Sequence, residues 1–273
     1  MKAFSFLFKV PINIFAAIIK CNRNAIKYLF SHPLQKEVVH FLDSSFQETY
    51  PHIYKAILLE KGINKNKEGI IIDVGGGIGI TAKFFLKAYP NNKVWIFEPL
   101  ESNRIDIQKT LNRTKNYILI DKAVGSKVEK TIINIANRIT SSSLLSFSDS
   151  EQYNFLPDAL NKKGFKEIEV ISLDMIIPLQ EAIKILKIDV QGYELEVLKG
   201  AEETLKRTQI IVIEMNNHRK YKNAAQYYEV DALLRKSNFI LCDIIPSLKE
   251  EGVLKEFDAI YSRINLNNEN RDC

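Results

Sequence analysis

Cysteine is scarce in this chain: its 273 residues contain three, Cys21, Cys242 and Cys273, widely separated and odd in number. No disulfide framework and no zinc-ligand spacing can be assembled from them, and reduced thiols in a cytoplasmic compartment are the simplest reading. Also missing is a block of Lys and Arg interleaved with aromatics. The net charge of +5 comes from lysines scattered among Asp and Glu, which argues against a nucleic-acid partner and leaves room for an anionic substrate or membrane surface. The N-terminus lacks the unbroken apolar run of about 20 residues that crosses a bilayer. Met1 to Ile19 is strongly apolar, but Lys9 and Pro11 interrupt it and Lys20 ends it. Three readings stay open for it: a helix packed on the rest of the protein, a shallow peripheral membrane anchor, and a secretory signal without an obvious small-residue cleavage site.

Apolar residues make up 46% of the chain and charged residues 26%, close to the averages of globular proteins, so a sizeable core is available and global disorder is excluded. The length suits one domain of about 200 residues plus an appendage. Residues 1–66 read as an N-terminal helical extension, in which Leu34, Val38, Phe41, Leu42 and Phe46 recur at helical spacing. Residues 67–265 form the main domain, and 266–273 read as a disordered tail. Lys61 to Gly69 is polar and glycine-flanked, a loop.

From Ile70 onward short apolar runs alternate with helical stretches. Strands are predicted at Ile70–Val74, Val94–Phe97, Tyr117–Ile120, Lys184–Ile188 and Ile210–Ile213, and helices at Ile80–Ala88, Ser102–Asn112, Glu194–Arg207 and Ala224–Ser237. Ile- and Val-rich runs with helices between them argue for an α/β fold with a mostly parallel sheet covered on both faces. Phe239–Ile244 and Phe257–Ser262, with a loop at Pro246–Gly252, predict an antiparallel hairpin at the sheet edge. Between the third and fourth main strands, Thr131–Ile135 and Glu167–Ile171 predict extra strands. The Ser-rich stretch Thr140–Ser150 between them reads as a substrate lid or binding loop.

Two motifs carry the first chemistry. In Ile70-Ile-Ile-Asp-Val-Gly-Gly-Gly-Ile-Gly79 an apolar strand runs into a glycine cluster and then a helix. Gly75, Gly77 and Gly79 permit a tight turn and close approach of the backbone to a ligand, and the helix N-terminus behind them offers free N–H groups and a positive dipole. A nucleotide cofactor is implied. The dinucleotide fingerprint G-x-G-x-x-G is not met, because Ile80 stands at its third glycine. In Val94-Trp-Ile-Phe-Glu-Pro99 an acidic residue, Glu98, ends the second strand, where a Rossmann-like sheet places a carboxylate for ribose hydroxyls.

A third signal is Lys187-Ile-Asp-Val-Gln-Gly-Tyr-Glu194, continuing to Lys199-Gly-Ala201. With DVGGGIG, FEP and the downstream Asn103, KAVG at Lys122–Gly125, SSSL at Ser141–Leu144, LD at Leu173–Asp174 and IIVIE at Ile210–Glu214, in this order, the chain resembles the FkbM family of S-adenosyl-L-methionine (SAM)-dependent methyltransferases over roughly Ile70 to Glu214. Its glycine loop carries Gly76 and Gly77 where the family more usually has Ala and Asn. The resemblance implies a Rossmann-like class I methyltransferase fold. It implies that Asp73, Gly75, Gly77 and Gly79 line the methionine part of SAM, whose ammonium suits the Asp73 carboxylate. Glu98, within the FEP motif with Pro99, would hold the ribose hydroxyls. Asn103 would either touch the cofactor or steady its helix. Asp121 to Val124, including Ala123, would end the third strand and border the adenine.

Asp189 and Glu214 end the fourth and fifth main strands, and ligands of open α/β sheets bind outside those ends. Glu194 belongs to the same cluster. Three roles compete for the acidic group: a general base taking a proton from an acceptor hydroxyl, a Mg²⁺ site with Asp189, Glu214 and Asn216 as oxygen ligands, or helix capping and pairing with lysines. His218 is either a base or a surface loop histidine. His32, His40 and His52 are expected to have no chemical role. The expected activity is O-methylation of a hydroxyl on a sugar, glycan or small metabolite. The rivals are an NAD(P)-dependent enzyme and a non-catalytic binding protein on the same fold.

Overall fold

A computed structural model describes residues 50–63, 68–112, 114–136, 141–146, 162–218 and 220–264. These fall within one compact unit, Ser44–Cys273. The apolar Met1–Ile19 segment, the helical stripe from Leu34 to Phe46, His32, His40, Cys21, Cys273 and the 266–273 tail lie outside the described residues. No helix among the described residues is long and apolar enough to cross a membrane.

Helix α1 (Pro51–Ile63) leads into β1 (Ile70–Val74), α2 (Ile80–Ala88), β2 (Val94–Phe97), α3 (Glu101–Thr110) and β3 (Tyr117–Ile120). Then come β4 (Ala123–Val124), β5 (Glu129–Ala136), β6 (Lys162–Ile171) and the one-turn α4 (Leu173–Ile176). The chain continues with β7 (Ile183–Ile188), α5 (Glu194–Lys199), α6 (Glu202–Lys206), β8 (Thr208–Asn216), α7 (Tyr227–Lys236), β9 (Phe239–Glu250) and β10 (Val253–Arg263). The main sheet has the order β3-β2-β1-β7-β8-β10-β9. Its first five strands are parallel, while β10 runs antiparallel between β8 and β9. This is the expected Rossmann-like α/β architecture with a C-terminal antiparallel hairpin. The order reverses direction between β1 and β7, and that crevice is where open α/β sheets bind their ligands.

Strands β1 and β7 are buried at every position, which explains why they read as unbroken Ile and Leu runs rather than alternations. On one face, Ile72, Leu186, Ile211 and Ala259 pack with Val197, Leu198, Leu205 and Leu234 of the following helices. The alternate side chains point to the other face, where α1 packs against β7, β8 and β10 and α2 against β1 and β2. There Ile53, Ile57 and Phe85 are fully buried.

The predicted detour is a separate three-stranded sheet, β4-β6-β5. It changes two expectations. The third strand ends at Ile120, and Ala123–Val124 pairs in parallel with β6 instead. The helix expected over Glu194–Arg207 is broken at Gly200. A Cβ there would come 2.0 Å from the Gly125 carbonyl oxygen, so only glycine lets the end of the first piece pass this close to the turn after β4. Asp174 then caps the second piece, its carboxylate accepting from the Glu203 and Thr204 amides at 2.9 and 2.7 Å. The expected hairpin loop at Pro246–Gly252 is instead strand up to Glu250, closed by a two-residue turn at Glu251-Gly252.

Candidate active site

The site is built outward from the β1–α2 turn. Gly75 and Gly76 donate to the Phe97 carbonyl, both at 3.1 Å, which ties the loop to the end of β2. Gly75 sits at φ +83°, and a Cβ there would lie 1.9 Å from the Asp189 carbonyl oxygen. Only glycine lets the turn pass this close to the end of β7. The loop borders a cavity of about 320 Å³, whose walls include Gly75–Ile78, Glu98, Asn103, Ala123, Ser142 and Asp189.

Glu98 is nearly sealed from solvent, yet its carboxylate is well partnered. Oε2 accepts from the Gly77 amide at 3.0 Å and Oε1 from the Leu100 amide at 2.9 Å. Burial lifts its pKa to about 7, against the pull of these amides, the Asn103 side chain and Arg104. Arg104 donates to the Glu98 and Pro99 carbonyls at 3.1 and 2.7 Å and fixes the corner. Asn103 is buried, and its Oδ1 has no hydrogen-bond partner. Both residues border the cavity, though the Asn103 oxygen is itself sealed from solvent.

The acidic end of β7 is held by two side chains. Lys187 lies 3.3 Å from Asp73 Oδ1 and 3.5 Å from Asp189 Oδ2, and donates to the Gly75 carbonyl at 3.2 Å. Burial alone would lower the pKa of this ammonium, but the two carboxylates reverse that and raise it. Gln191 is the second. Its Nε2 donates to Asp189 Oδ1 and Glu214 Oε2, both at 2.9 Å. Its Oε1 accepts from Lys220 at 3.1 Å and Tyr221 at 2.8 Å, and its carbonyl accepts from the Ser143 hydroxyl at 2.7 Å. The residue sits at φ +58°, just before Gly192 at +99°. Burial works against ionisation of both carboxylates. At Asp189 it is outweighed by Lys187 and Gln191, and the pKa falls. At Glu214 burial is reinforced by Asp189 and Glu256, and the pKa is pushed well up.

The residues expected at the site divide by place. Gly75, Gly77, Glu98, Pro99, Asn103, Ala123 and Asp189 line the cavity. Gly79 does not line it; it is the left-handed residue from which α2 starts, at φ +84°. Asp73 lies beneath the floor, fully buried against Lys187, because the strand alternation turns it to the α1 side. Asp121 stays at the surface 3.5 Å from Lys122, since the chain leaves β3 one residue before it. Glu214 reaches Asp189 only through the Gln191 amide. Asn216 is the last residue of β8 and His218 follows it; neither borders the cavity. Asn216 is buried with its Oδ1 unpartnered. Among the described residues no three His, Cys, Asp or Glu side chains converge as metal ligands, so the Mg²⁺ expectation has no support in the site.

Lys187, Gln191 and Lys220 were not singled out in the sequence. Lys187 and Gln191 stand inside the KIDVQGYE motif, and a lysine within an otherwise apolar strand was a readable signal. Nothing in the sequence marks Lys220.

Comparison with known proteins agrees with this architecture. The family model described as "Methyltransferase FkbM domain" matches residues 73–241. The AMB antimetabolite synthetase AmbE of Pseudomonas aeruginosa is 23% identical, over 76% of this chain and 11% of that protein, so the chain spans about a tenth of the curated relative's length. Among solved structures, Methyltransferase FkbM from Methylobacillus flagellatus KT aligns at 15% identity with a TM-score of 0.48, covering 84% of this chain and 57% of that one. A SAM dependent methyltransferase from Aquifex aeolicus aligns at 14% identity with a TM-score of 0.40, covering 84% and 98%. The family match spans more than half of the residues and contains the glycine loop, Glu98 and the KIDVQGYE segment: this chain belongs to the FkbM methyltransferase family.

Proposed function

We propose that the chain transfers a methyl group from SAM to a hydroxyl oxygen of a sugar, glycan or small metabolite. The cofactor half rests on one observation: Glu98, at the end of β2, lines the same cavity as the glycine loop. A carboxylate at that place suits the two hydroxyls of a ribose. The open backbone at Gly75–Gly77 suits close approach of an amino-acid moiety, and the ionised Asp189 at the far wall suits a positive sulfur. When bound, SAM supplies a methyl group already activated by its sulfonium charge.

The protein's task is then alignment and exclusion of water. Glu98 and the glycine loop seat the donor. Asp189, fixed by Lys187 and Gln191, orients the acceptor hydroxyl. Ser143 ties the described part of the Ser-rich segment, residues 141–146, to the Gln191 carbonyl and makes it one wall of the cavity. Asp73 is internal, so its part is to keep Lys187 charged and in place rather than to touch the cofactor.

The test is calorimetric titration of the purified protein with S-adenosylhomocysteine and with NAD, repeated on Glu98→Ala. A lost hydrogen bond to a charged group costs about 1.5–3 kcal/mol, so Glu98→Ala should weaken S-adenosylhomocysteine roughly 10- to 100-fold, and NAD should give no signal. Binding of NAD in preference to S-adenosylhomocysteine would revive the oxidoreductase reading; binding of neither would favour a non-catalytic protein.

A further inference from the structure

The cavity runs across the ends of three neighbouring strands. Glu98 follows β2, the glycine loop follows β1 and Asp189 follows β7. Its two carboxylates are held differently. At Glu98 both oxygens accept backbone amides, from Gly77 and Leu100. At Asp189 only Oδ1 accepts a hydrogen bond, from Gln191 Nε2 at 2.9 Å. Oδ2 lies 3.5 Å from the Lys187 ammonium, an ion-pair distance rather than a hydrogen-bond distance. The side chain is 37% exposed and lines the cavity, so Oδ2 keeps room for a ligand.

Gln191 also lines the cavity, and it has φ of +58°. A non-glycine residue stays in that left-handed region only where its surroundings over-determine it. Here they do. The side-chain amide gives one hydrogen to Asp189 and one to Glu214, and its oxygen takes one from Lys220 and one from Tyr221. It fits only one way round, because turning it over would set an oxygen against two carboxylates and an NH₂ group against an ammonium. The ammonium groups nearby are matched. Lys187 has Asp73 at 3.3 Å and Lys220 has Glu256 at 3.1 Å. The charge of Asp189 is therefore left over, at a cavity wall, on a carboxylate whose orientation Gln191 fixes.

We propose that Gln191 is a positioning residue that sets the ligand preference of this cavity: by holding Asp189 through Oδ1 and leaving Oδ2 available, it makes the site favour a donor with a positive sulfur over the neutral product. The inference rests on the methyl-transfer reading above and deepens it. In the transfer the acceptor oxygen bonds the methyl carbon, the carbon–sulfur electron pair stays on sulfur, and the hydroxyl proton leaves to water. Sulfur passes from positive to neutral, and its attraction to Asp189 ends. S-adenosylhomocysteine is then the weaker ligand, and the site clears for the next molecule of SAM. A glutamate at 191 would be no substitute, since it brings a third carboxylate to Asp189 and Glu214 and has no hydrogens to share between them.

The experiment is calorimetric titration of the full chain with three ligands: SAM, sinefungin, whose amine occupies the place of the methylsulfonium, and S-adenosylhomocysteine. It is run on the wild type, Gln191→Met, Asp189→Asn and the double variant, and the quantity read is the affinity of each charged ligand relative to S-adenosylhomocysteine. The wild type should prefer both charged ligands by about tenfold or more, as a close charge pair in a partly desolvated site gives. Gln191→Met keeps the side-chain length without the hydrogen bonds and should remove most of that preference. In Asp189→Asn the preference should be absent, and adding Gln191→Met should change it no further. If Gln191→Met does not fold, Gln191→Asn serves: it tolerates positive φ but is one methylene too short to span both carboxylates. No preference in the wild type, a preference that survives loss of the Gln191 amide, or an effect of Gln191 that persists in the Asp189→Asn background would each overturn the assignment while leaving the cofactor reading intact. Failure of the folded wild type to bind any of the three ligands would sink both.

Discussion

At Lys187 one ammonium serves Asp73, Asp189 and the Gly75 carbonyl, so it couples the buried floor to the cavity wall. Removing one partner of a buried ion pair costs about 3–5 kcal/mol, whereas removing both can be close to neutral. Lys187→Met should therefore lower stability by about that amount in urea unfolding, and Asp73→Asn combined with Lys187→Met should recover most of it. Additive losses in the double variant would show that the pair is not the reason for either residue. The glycines give a second contrast. At Gly75 a Cβ meets the Asp189 carbonyl at 1.9 Å, while at Gly77 it meets nothing within 4 Å. Both have positive φ, so both alanine variants carry the left-handed penalty of about 1–2 kcal/mol. Gly75→Ala should in addition displace the end of β7 and reduce S-adenosylhomocysteine affinity by more than tenfold, with Gly77→Ala retaining more. Equal losses would mean that the close approach to Asp189 does not matter for binding.

Among the elements, the β9–β10 hairpin shows how a local conformation can be suboptimal where nothing else depends on it. Glu251 and Gly252 have φ of +50° and +81°, the two positive values of a tight primed turn, whose preferred pair is Asn-Gly. Glu251→Asn should raise the urea midpoint, by about 0.5 kcal/mol of stability, because Asn tolerates the left-handed region better than Glu. No gain would indicate that Glu251 makes a compensating interaction in solution. The junction between α5 and α6 has the opposite logic: glycine at 200 weakens the helix locally, and the packed neighbour Gly125 leaves no room for any other residue there. Helix α1 is an element whose role changed most between sequence and structure. It covers one sheet face and brings His52 Nδ1 to 3.2 Å from Asp258 Oδ2.

For the whole molecule, the accumulation of acidic groups at the C-terminal strand ends sets a stability profile. Burial raises the pKa of Glu98, Glu194 and Asp258 to about 7, so between about pH 4.5 and 7 the folded state holds protons on these groups that the unfolded chain has lost. Their stabilisation is fully present below the unfolded carboxyl pKa and is lost as pH rises through about 7. His52, lowered to about 4, acts the other way, because the unfolded chain binds its proton below about 6.5. The three carboxyls outweigh it. The ligand-free protein should therefore be more stable in urea at pH 5.5 than at pH 8. S-adenosylhomocysteine should bind more tightly at the higher pH, where Glu98 is ionised. A urea midpoint that rises from pH 5.5 to 8 would show that these carboxyls are not the dominant titrating groups.

The sequence by itself determined the parts whose cause is local. An Ile-rich run followed by glycines that alone tolerate positive φ places β1, the turn and α2. Glu98 at the end of β2 and Asp189 at the end of β7 follow from strand ends that apolar runs mark clearly, and the strands Ile70–Val74, Val94–Phe97 and Tyr117–Ile120 were legible to the residue. Only the tertiary structure decided which charged groups meet. Asp73 pairs with Lys187 because β1 lies beside β7, and Asp258 stands opposite Glu214 because β10 inserts antiparallel next to β8. His52 joins them because α1 crosses β7, β8 and β10. The alternation within a strand states which face a residue takes. It carries no information on the strand or helix placed against that face, and the energy that selects this neighbour is the burial of a core shared by the whole sheet.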